Sequence, residues 1–169
     1  MKLKPEPSPL PWFSVTANSS RALPSDNRSG YAYRHRGCKY PTVAFVHVLH
    51  DAVLEMGGRA GLLKPDLLES ATEKPVVTVG GEDAYLTLFS KVAAIGHAIA
   101  HGHVFNDGNK RTAIEAMSAT LAMNRHKKRP KSDVMESSIL LVAAGHLGID
   151  GLRMALLYAY QLDPANDSL

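Results

Sequence analysis

The sequence predicts an all-α, mostly helical domain with a single short β segment. Two observations lead to this fold class. After residue 42, apolar residues recur at helical spacing through most of the chain. Only residues 75–81 combine a β-branched run with a closing glycine pair. The 169 residues, 45% hydrophobic and 21% charged, suit one soluble domain with a core of its own.

The N-terminal region, residues 1–40, is predicted to be an irregular extension. It holds five of the ten prolines and shows no sustained periodicity. It also holds seven basic and two acidic side chains, whereas the other 129 residues hold 12 basic and 14 acidic ones. Because the basicity is concentrated here, the isoelectric point near 9.0 does not predict a nucleic-acid partner. Stacking of its aromatic residues on nucleic acid is the alternative.

Cysteine content and hydropathy exclude several protein classes. Cys38 is the single cysteine, which excludes a disulfide framework and fits a reducing compartment. No apolar run approaches the roughly 18 residues of a membrane span. Prolines at positions 5, 7, 9 and 11 interrupt any signal-peptide helix. We therefore expect a cytoplasmic protein without a membrane partner.

The first half of the domain shows two helices and a strand. Helical spacing begins at Val43 and stops before the Gly57–Gly58 pair. Pro65 suits the first turn of a second helix, which reaches Ala71. The segment PVVTVGG, residues 75–81, predicts a short strand that ends in a glycine turn.

The second half consists of four further helices. The acidic pair Glu82–Asp83 favours a helix N-terminus, and the stripe that follows runs to about His101. After a polar loop, a central helix spans 109–124. Two more helices are expected over 134–146 and 151–162, the last with Asp150 as its N-cap. We expect these elements to form one domain over residues 41–163, followed by a tail over 164–169.

The loop between the two central helices, His103 to Gly108, carries the densest group of reactive side chains. A helix N-terminus binds anions, and the missing Cβ of Gly108 lets the backbone approach a phosphate. Lys110 and Arg111 supply positive charge for further phosphate oxygens. Asp107 is a hard ligand suited to Mg²⁺, and His103 can accept a proton from a hydroxyl. This combination predicts transfer of a phosphorus group from a nucleotide.

Other readings of these residues are simpler. A histidine or aspartate before a helix is often only a cap, and a Lys-Arg pair usually faces solvent. His97, His101 and His103 suggest zinc, but no acidic or cysteine ligand shares their face. His47 and His50 are expected to be core histidines or polar neighbours of the site. The basic run 125–131 fits compensation of a helix dipole, with attraction to RNA or an acidic partner as the alternative.

The segment HVFNDGNKRTA resembles the signature of the Fic/Doc superfamily, H-x-F-x-(D/E)-G-N-x-R. The resemblance covers residues 43–162, and the matching positions are His103, Phe105, Asp107, Gly108, Asn109 and Arg111. Adenylyltransferases of the superfamily usually have glycine where this chain has Lys110. They also have a second arginine where this chain has Ile114. Both departures resemble the Doc (death-on-curing) toxin branch.

The resemblance implies a helical bundle with the motif on a central helix hairpin and a β-flap over the site. It implies a kinase that transfers the γ-phosphate of ATP to a threonine of elongation factor Tu and arrests translation. Within it, His103 would deprotonate the target hydroxyl, Asp107 would hold Mg²⁺ and Phe105 would anchor the loop. The phosphates would be bound by Gly108, Asn109, Lys110 and Arg111, and the target peptide by the flap residues Val76, Val77, Thr78 and Val79.

Two alternatives remain open. Ile114 lacks the charge with which an adenylyltransferase fixes the γ-phosphate, so the inverted nucleotide pose is favoured. Gly108 departs in the other direction, because Doc tends to have alanine there, and this keeps adenylyl transfer as an alternative. The second alternative is an inactive binding module with this fold. The stretch 132–137, SDVMES, lacks the last residue of a self-inhibitory motif, so the resemblance implies a separate Phd-like antitoxin.

Overall fold

The computed structural model describes residues 30–128 and 130–167, which form six α-helices and two small sheets and confirm the mostly helical fold class. The helices are α1 (Val43–Leu54), α2 (Pro65–Glu73), α3 (Leu88–Gly102), α4 (Asn109–Met123), α5 (Ser132–Ala143) and α6 (Ile149–Ala159). The strands are β1 (Ala32–His35), β2 (Cys38–Pro41), β3 (Thr78–Val79) and β4 (Glu82–Asp83), and β1 pairs with β2 and β3 with β4, both antiparallel.

Helices α3 and α4 form the centre of the bundle. Their close approach depends on Gly96, where an added Cβ would lie 2.2 Å from the Met117 sulfur. Helix α3 begins with a capping box in which the Thr87 hydroxyl accepts from the Ser90 N–H and the Ser90 hydroxyl accepts from the Thr87 N–H. The two helices are thereby fixed against each other on either side of the loop His103–Gly108.

The other helices cover this central pair. Helix α1 packs on α4, α2 packs on α3, and α5 and α6 pack on each other and on α3. The N-cap of α1 is Thr42, whose hydroxyl accepts a hydrogen bond from the Phe45 N–H. Among the described residues, none of the helices combines the length and apolar character needed to cross a bilayer.

The prediction of an irregular segment over residues 1–40 is wrong for its last part. Residues 1–29 lie outside the described residues, but β1 and β2 form a hairpin whose turn holds Arg36 and Gly37 at φ 46° and 83°. Positive φ at both central positions is the geometry of tight two-residue hairpin turns. The hairpin packs on the domain through Tyr40, which is fully buried.

The predicted strand 75–81 and the predicted start of the third helix both need correction. Residues Lys74–Val76 form a 3₁₀ turn, because proline at position 75 fixes φ and lacks an N–H. The strand is limited to β3, and Gly80 and Gly81 turn the chain directly into β4. Glu82 and Asp83 therefore lie in a strand, and α3 begins only at Leu88.

The C-terminal region also differs from its prediction. The N-cap of α6 is Gly148, and Asp150 lies in the first turn of that helix. Beyond the helix, the Asp167 carboxylate binds Arg153 Nε at 2.6 Å and accepts from the Thr87 hydroxyl at 2.9 Å. These contacts join the predicted tail to α6 and to the start of α3.

A buried acid, Glu115, lies in the middle of α4. It is 7% exposed, and its Oε2 atom has no hydrogen-bond partner among the described residues. Burial raises the pKa of Glu115 from 4.5 to about 7, because a charged carboxylate is poorly solvated there. The folded state therefore holds this proton more tightly than the unfolded chain does.

We expect Glu115→Gln to stabilise the protein at pH 8 by up to ~3 kcal/mol and to have little effect below pH 4.5. The contribution of Glu115 to stability should fall as the pH rises from 4.5 to about 7, since folding opposes its ionisation in that window, and the difference between wild type and Glu115→Gln isolates it. Urea unfolding at several pH values measures this, with the exposed Glu136→Gln as control. Equal effects of the two variants at every pH would contradict the prediction.

Candidate active site

His103 ends the first central helix and leaves its imidazole exposed. Its backbone is left-handed, with φ 48° and ψ 56°, at the C-cap of α3. Such a residue stops a helix and turns the chain away from the helix axis. Within the described part of the chain, no hydrogen bond or ion pair engages the His103 ring. The ring is therefore available to accept a proton from a bound molecule.

The loop after His103 is closed by the side chain of Asn109. The Asn109 Oδ1 atom accepts from the Phe105 N–H at 2.8 Å, and the Asn109 Nδ2 atom donates to the Phe105 carbonyl at 2.7 Å. These bonds give the Asn109 side chain a structural role in the loop, and the second N–H of its Nδ2 atom is not used by them. Asn109 can also offer an anion its backbone N–H, in the first turn of α4.

Phe105 anchors this loop in the core. Its ring is 1% exposed and stacks on the imidazole of His50, with ring centroids 3.7 Å apart. The His50 Nδ1 atom lies 3.0 Å from the Thr112 hydroxyl of α4. His50 is buried beside the site, as expected, and burial lowers its pKa. A neutral His50 thus supports the loop by packing against the Phe105 ring.

Asp107 presents a charged carboxylate at the start of α4. Its Oδ1 atom accepts from the Gly108 N–H at 2.5 Å. This bond and a second from the Arg59 N–H hold the pKa of Asp107 below its ordinary range. Gly108 has φ 74°, and an added Cβ would lie 3.3 Å from Val53 Cγ1, so the position favours glycine.

Arg111 joins the site to the end of α1. Its Nη1 atom donates to the Val53 carbonyl at 3.1 Å and its Nη2 atom to the Gly57 carbonyl at 2.9 Å. A cation is favourable there because the C-terminal end of a helix carries partial negative charge. A guanidinium has five donors, so Arg111 keeps N–H groups for a phosphate.

Gly58 is a site residue that the sequence analysis used only as a helix terminator. It has φ 137°, and an added Cβ would lie 3.0 Å from Asp107 Oδ2 and 3.3 Å from Arg111 Nη2. The glycine pair after α1 therefore does more than stop the helix. The missing Cβ leaves space for the Asp107 carboxylate, the Arg111 guanidinium and Leu54 Cδ2, the last of which would lie 2.9 Å from an added Cβ.

The site residues fit a hydrated Mg²⁺ better than a fully protein-bound metal. The described residues contain no group of three or more histidine, cysteine or acidic side chains able to hold a metal. His97 and His101 lie with ring centroids 5.4 Å apart on α3, without such a third ligand. The single ionised carboxylate of Asp107 suits Mg²⁺, which keeps several waters and binds substrate phosphates.

The predicted flap residues are only partly in a strand. Val76 belongs to the 3₁₀ turn and Val77 to the link that follows, whereas Thr78 and Val79 form β3. The side chains of Val77 and Val79 are 40% and 71% exposed. A two-residue ladder with exposed apolar side chains leaves an edge available to an extended peptide.

Comparison with known proteins agrees with this arrangement. Residues 40–121 match the Fic/DOC family. A protein described as Toxin Doc, from Mycolicibacterium smegmatis, is 33% identical over 111 residues, which cover 64% of this chain and 85% of that protein. The chain belongs to the Fic/DOC family. A protein described as Protein kinase doc, from Escherichia phage P1, is 38% identical over 79 residues, which are 46% of this chain and 60% of that protein.

Within the Fic/DOC family, this chain is similar to Doc proteins. The matched range, 40–121, begins in β2 and ends near the end of α4, so it contains the flap and the loop His103–Gly108. Residues 30–39 of the hairpin and helices α5 and α6 lie outside that range.

We expect Gly58→Ala to destabilise the protein by about 0.5 kcal/mol more than Gly57→Ala, because the side-chain ends of Leu54, Asp107 and Arg111 must shift. Both glycines have positive φ, so backbone strain is common to the two variants. Only a Cβ at Gly58 meets Asp107 and Arg111, whereas a Cβ at Gly57 has no atom within 4 Å.

Urea unfolding measures this difference, and hydrogen exchange of the peptide over 103–109 reports on the loop. Faster exchange in Gly58→Ala alone is the expected result. Equal destabilisation by the two substitutions, with no change in loop exchange, would show that Gly58 acts only through its backbone.

Proposed function

We propose that this chain is a Doc-like toxin that phosphorylates a protein. It transfers the γ-phosphate of ATP to a serine or threonine hydroxyl of a translation factor, for which elongation factor Tu is the candidate by family analogy. The observation that carries the proposal is the exposed imidazole of His103, which has no partner among the described residues, in the same short loop as the ionised carboxylate of Asp107. Similarity to proteins described as Toxin Doc and Protein kinase doc supports it.

In this proposal His103 is the general base. The target hydroxyl gives its proton to the imidazole while its oxygen forms a bond to the γ-phosphorus. The bond from that phosphorus to the bridging oxygen breaks, and ADP leaves with the electron pair. The proton remains on His103 and is then released to solvent.

The start of α4 supplies the groups that would neutralise the negative charge of the nucleotide. The first N–H groups of the helix, the exposed Lys110 ammonium and the remaining donors of Arg111 are the candidate phosphate ligands. Asp107 would hold Mg²⁺, which when bound neutralises charge on the phosphate oxygens. The Asn109 side chain preserves the loop shape on which these groups depend.

Adenylyl transfer is the second candidate, favoured by the glycine at position 108. Ile114 argues against it, because its side chain packs against the hydrophobic core and carries no charge toward a γ-phosphate. A hydrocarbon side chain cannot replace a bidentate guanidinium. Without a guanidinium at position 114 to hold it, the γ-phosphate is free to face His103.

The exposed strand edge of the flap is the candidate surface for the protein substrate. Val76, Val77, Thr78 and Val79 would pair with an extended segment of the target and bring its hydroxyl to His103. We further propose a Phd-like antitoxin as partner and the cytoplasm as the place of action, where translation factors are found.

The first test is incubation of the chain with elongation factor Tu and ATP labelled in turn at the γ- and α-phosphates, read by intact mass. We expect a gain of one phosphate that carries only γ label. A gain of one nucleotide with α label would establish adenylyl transfer instead. No gain with either label would reject this target.

We expect His103→Ala to lower the transfer rate about 100-fold or more and to abolish growth arrest in cells. The fold should be unaffected, because the ring is exposed and unpartnered in the described residues. The control is His101→Ala, which removes another exposed histidine of α3. A His103→Ala variant with wild-type activity would rule out the general-base role.

We expect Lys110→Ala to raise the KM for ATP about tenfold, through loss of a charge-assisted contact to phosphate. The exposed Lys127→Ala serves as control, since it lies after α4 at the opposite end of the helix. Steady-state kinetics at varied ATP measures both variants. An unchanged KM in Lys110→Ala would remove this residue from the phosphate site.

A further inference from the structure

We call residues 74–84, which include β3 and β4, the flap. Asp83 is a buried carboxylate at its base, and three basic side chains surround it. Its side chain is 3% exposed. Lys91 Nζ binds its Oδ2 atom, Arg36 Nε lies 3.2 Å from the same oxygen, and His35 Nε2 lies 3.2 Å from both oxygens. We call these four residues the Asp83 cluster. None of them belongs to the loop His103–Gly108.

Lys91 ties the two ends of the flap to the helix that carries the candidate base. It is fully buried in α3, and its ammonium donates both to Asp83 in β4 and to the Pro75 carbonyl, at 2.7 Å, in the 3₁₀ turn before β3. A buried ammonium requires such partners, because an unpaired charge in the interior costs several kcal/mol. The flap base is therefore fixed on α3.

The hairpin supplies the other two members of the cluster, at a conformational cost. Arg36 has φ 46°, which is unfavourable for any residue other than glycine, asparagine or aspartate. Tight hairpin turns usually place asparagine, aspartate or glycine at this position. The turn instead carries a side chain that reaches Asp83, so the strain coincides with a contact to the flap.

The hairpin is itself anchored to three helices or their ends. The Tyr33 hydroxyl donates to the Thr72 carbonyl of α2 at 2.6 Å. The Asn124 side chain, at the end of α4, exchanges two hydrogen bonds with the backbone of Lys39. The Thr42 hydroxyl, before α1, donates to the Gly30 carbonyl at 2.6 Å. A hairpin fixed in this way can restrain the flap that it contacts.

We propose that the Asp83 cluster positions the flap and that the hairpin residues His35 and Arg36 thereby control binding of the protein substrate. The identity of the protein substrate in this proposal rests on the proposed function. The restraint on the flap does not depend on it. These residues are positioning residues, because they act through the backbone of β4. Residues 30–39, which include both, lie outside the matched range 40–121, so this control is a feature of the chain beyond the family match.

The test compares two arginine-to-glycine variants of the full chain. Arg36→Gly removes the contact to Asp83 and also relieves the positive φ, so the turn itself should fold at least as well. The matched control is Arg125→Gly, because Arg125 is also exposed and has φ 72°, but it lies after α4 and belongs to no cluster with Asp83. Arg36→Lys, which keeps a positive charge, tests for rescue.

Two measurements are made on each variant. Hydrogen exchange, read by mass spectrometry on the peptide over 77–84, reports on the flap without any substrate. Phosphate transfer from ATP to elongation factor Tu gives separate KM values for the two substrates. We expect Arg36→Gly to exchange faster in the flap and to raise the KM for elongation factor Tu about threefold, a size typical of a partly exposed ion pair. The KM for ATP should not change, and Arg36→Lys should restore part of the loss.

The outcomes separate this proposal from the proposed function. Unchanged flap exchange in Arg36→Gly would overturn the restraint, whatever the activity. Faster exchange with an unchanged KM for elongation factor Tu, or with an equal rise in the KM for ATP, would overturn the control of substrate binding. If the wild-type chain transfers no phosphate while Arg36→Gly exchanges faster, the proposed function and the control of this substrate fail, and the restraint on the flap is supported.

Discussion

The site depends first on one amide, the side chain of Asn109. Its two hydrogen bonds to Phe105 close the loop between the central helices, so the ring of Phe105 is directed into the core and the loop cannot open without losing both bonds. The stacked His50 then holds that ring from α1. His103 and Asp107 owe their placement to this closed loop, although neither contacts the Asn109 side chain.

A second constraint is the meeting of two helix ends with opposite dipoles. Helix α1 ends near the point where α4 begins, and Arg111 of α4 donates to the Val53 carbonyl in the last turn of α1 and to the Gly57 carbonyl three residues after that helix. The carboxylate of Asp107, at the start of α4, is stabilised by the backbone N–H groups of Gly108 and Arg59. The missing Cβ of Gly58 leaves space beside both of these side chains. The result is a compact site with fixed charges of both signs, which suits a phosphate with its cation.

Two buried acids, Glu115 and Asp83, illustrate different uses of burial. Glu115 has an oxygen without a partner in the described residues, and burial raises its pKa to about 7. Asp83 is surrounded by basic groups, and hydrogen bonding to Lys91 lowers its pKa. An unpaired acid lowers stability when it ionises, whereas a paired one specifies which segments lie together. At Asp83 those segments are the flap, α3 and the N-terminal hairpin.

The sequence by itself determined the helical class, the approximate spans of most helices and the loop in which the site lies, because helical periodicity and a contiguous motif are local properties. It could not determine the roles of Asp83 and Asn109. An acidic pair before an apolar stripe predicts a helix start, but the same residues can lie in a strand. The pairing of β3 with β4 and the contacts of Asp83 with Lys91, Arg36 and His35, the last 48 residues away, come from the tertiary structure. The motif predicts a phosphate ligand at Asn109, whereas the hydrogen bonds of its side chain to Phe105 depend on the path of the backbone in the folded loop. Such pairings depend on which segments the packed core brings together, and that is a property of the tertiary structure alone.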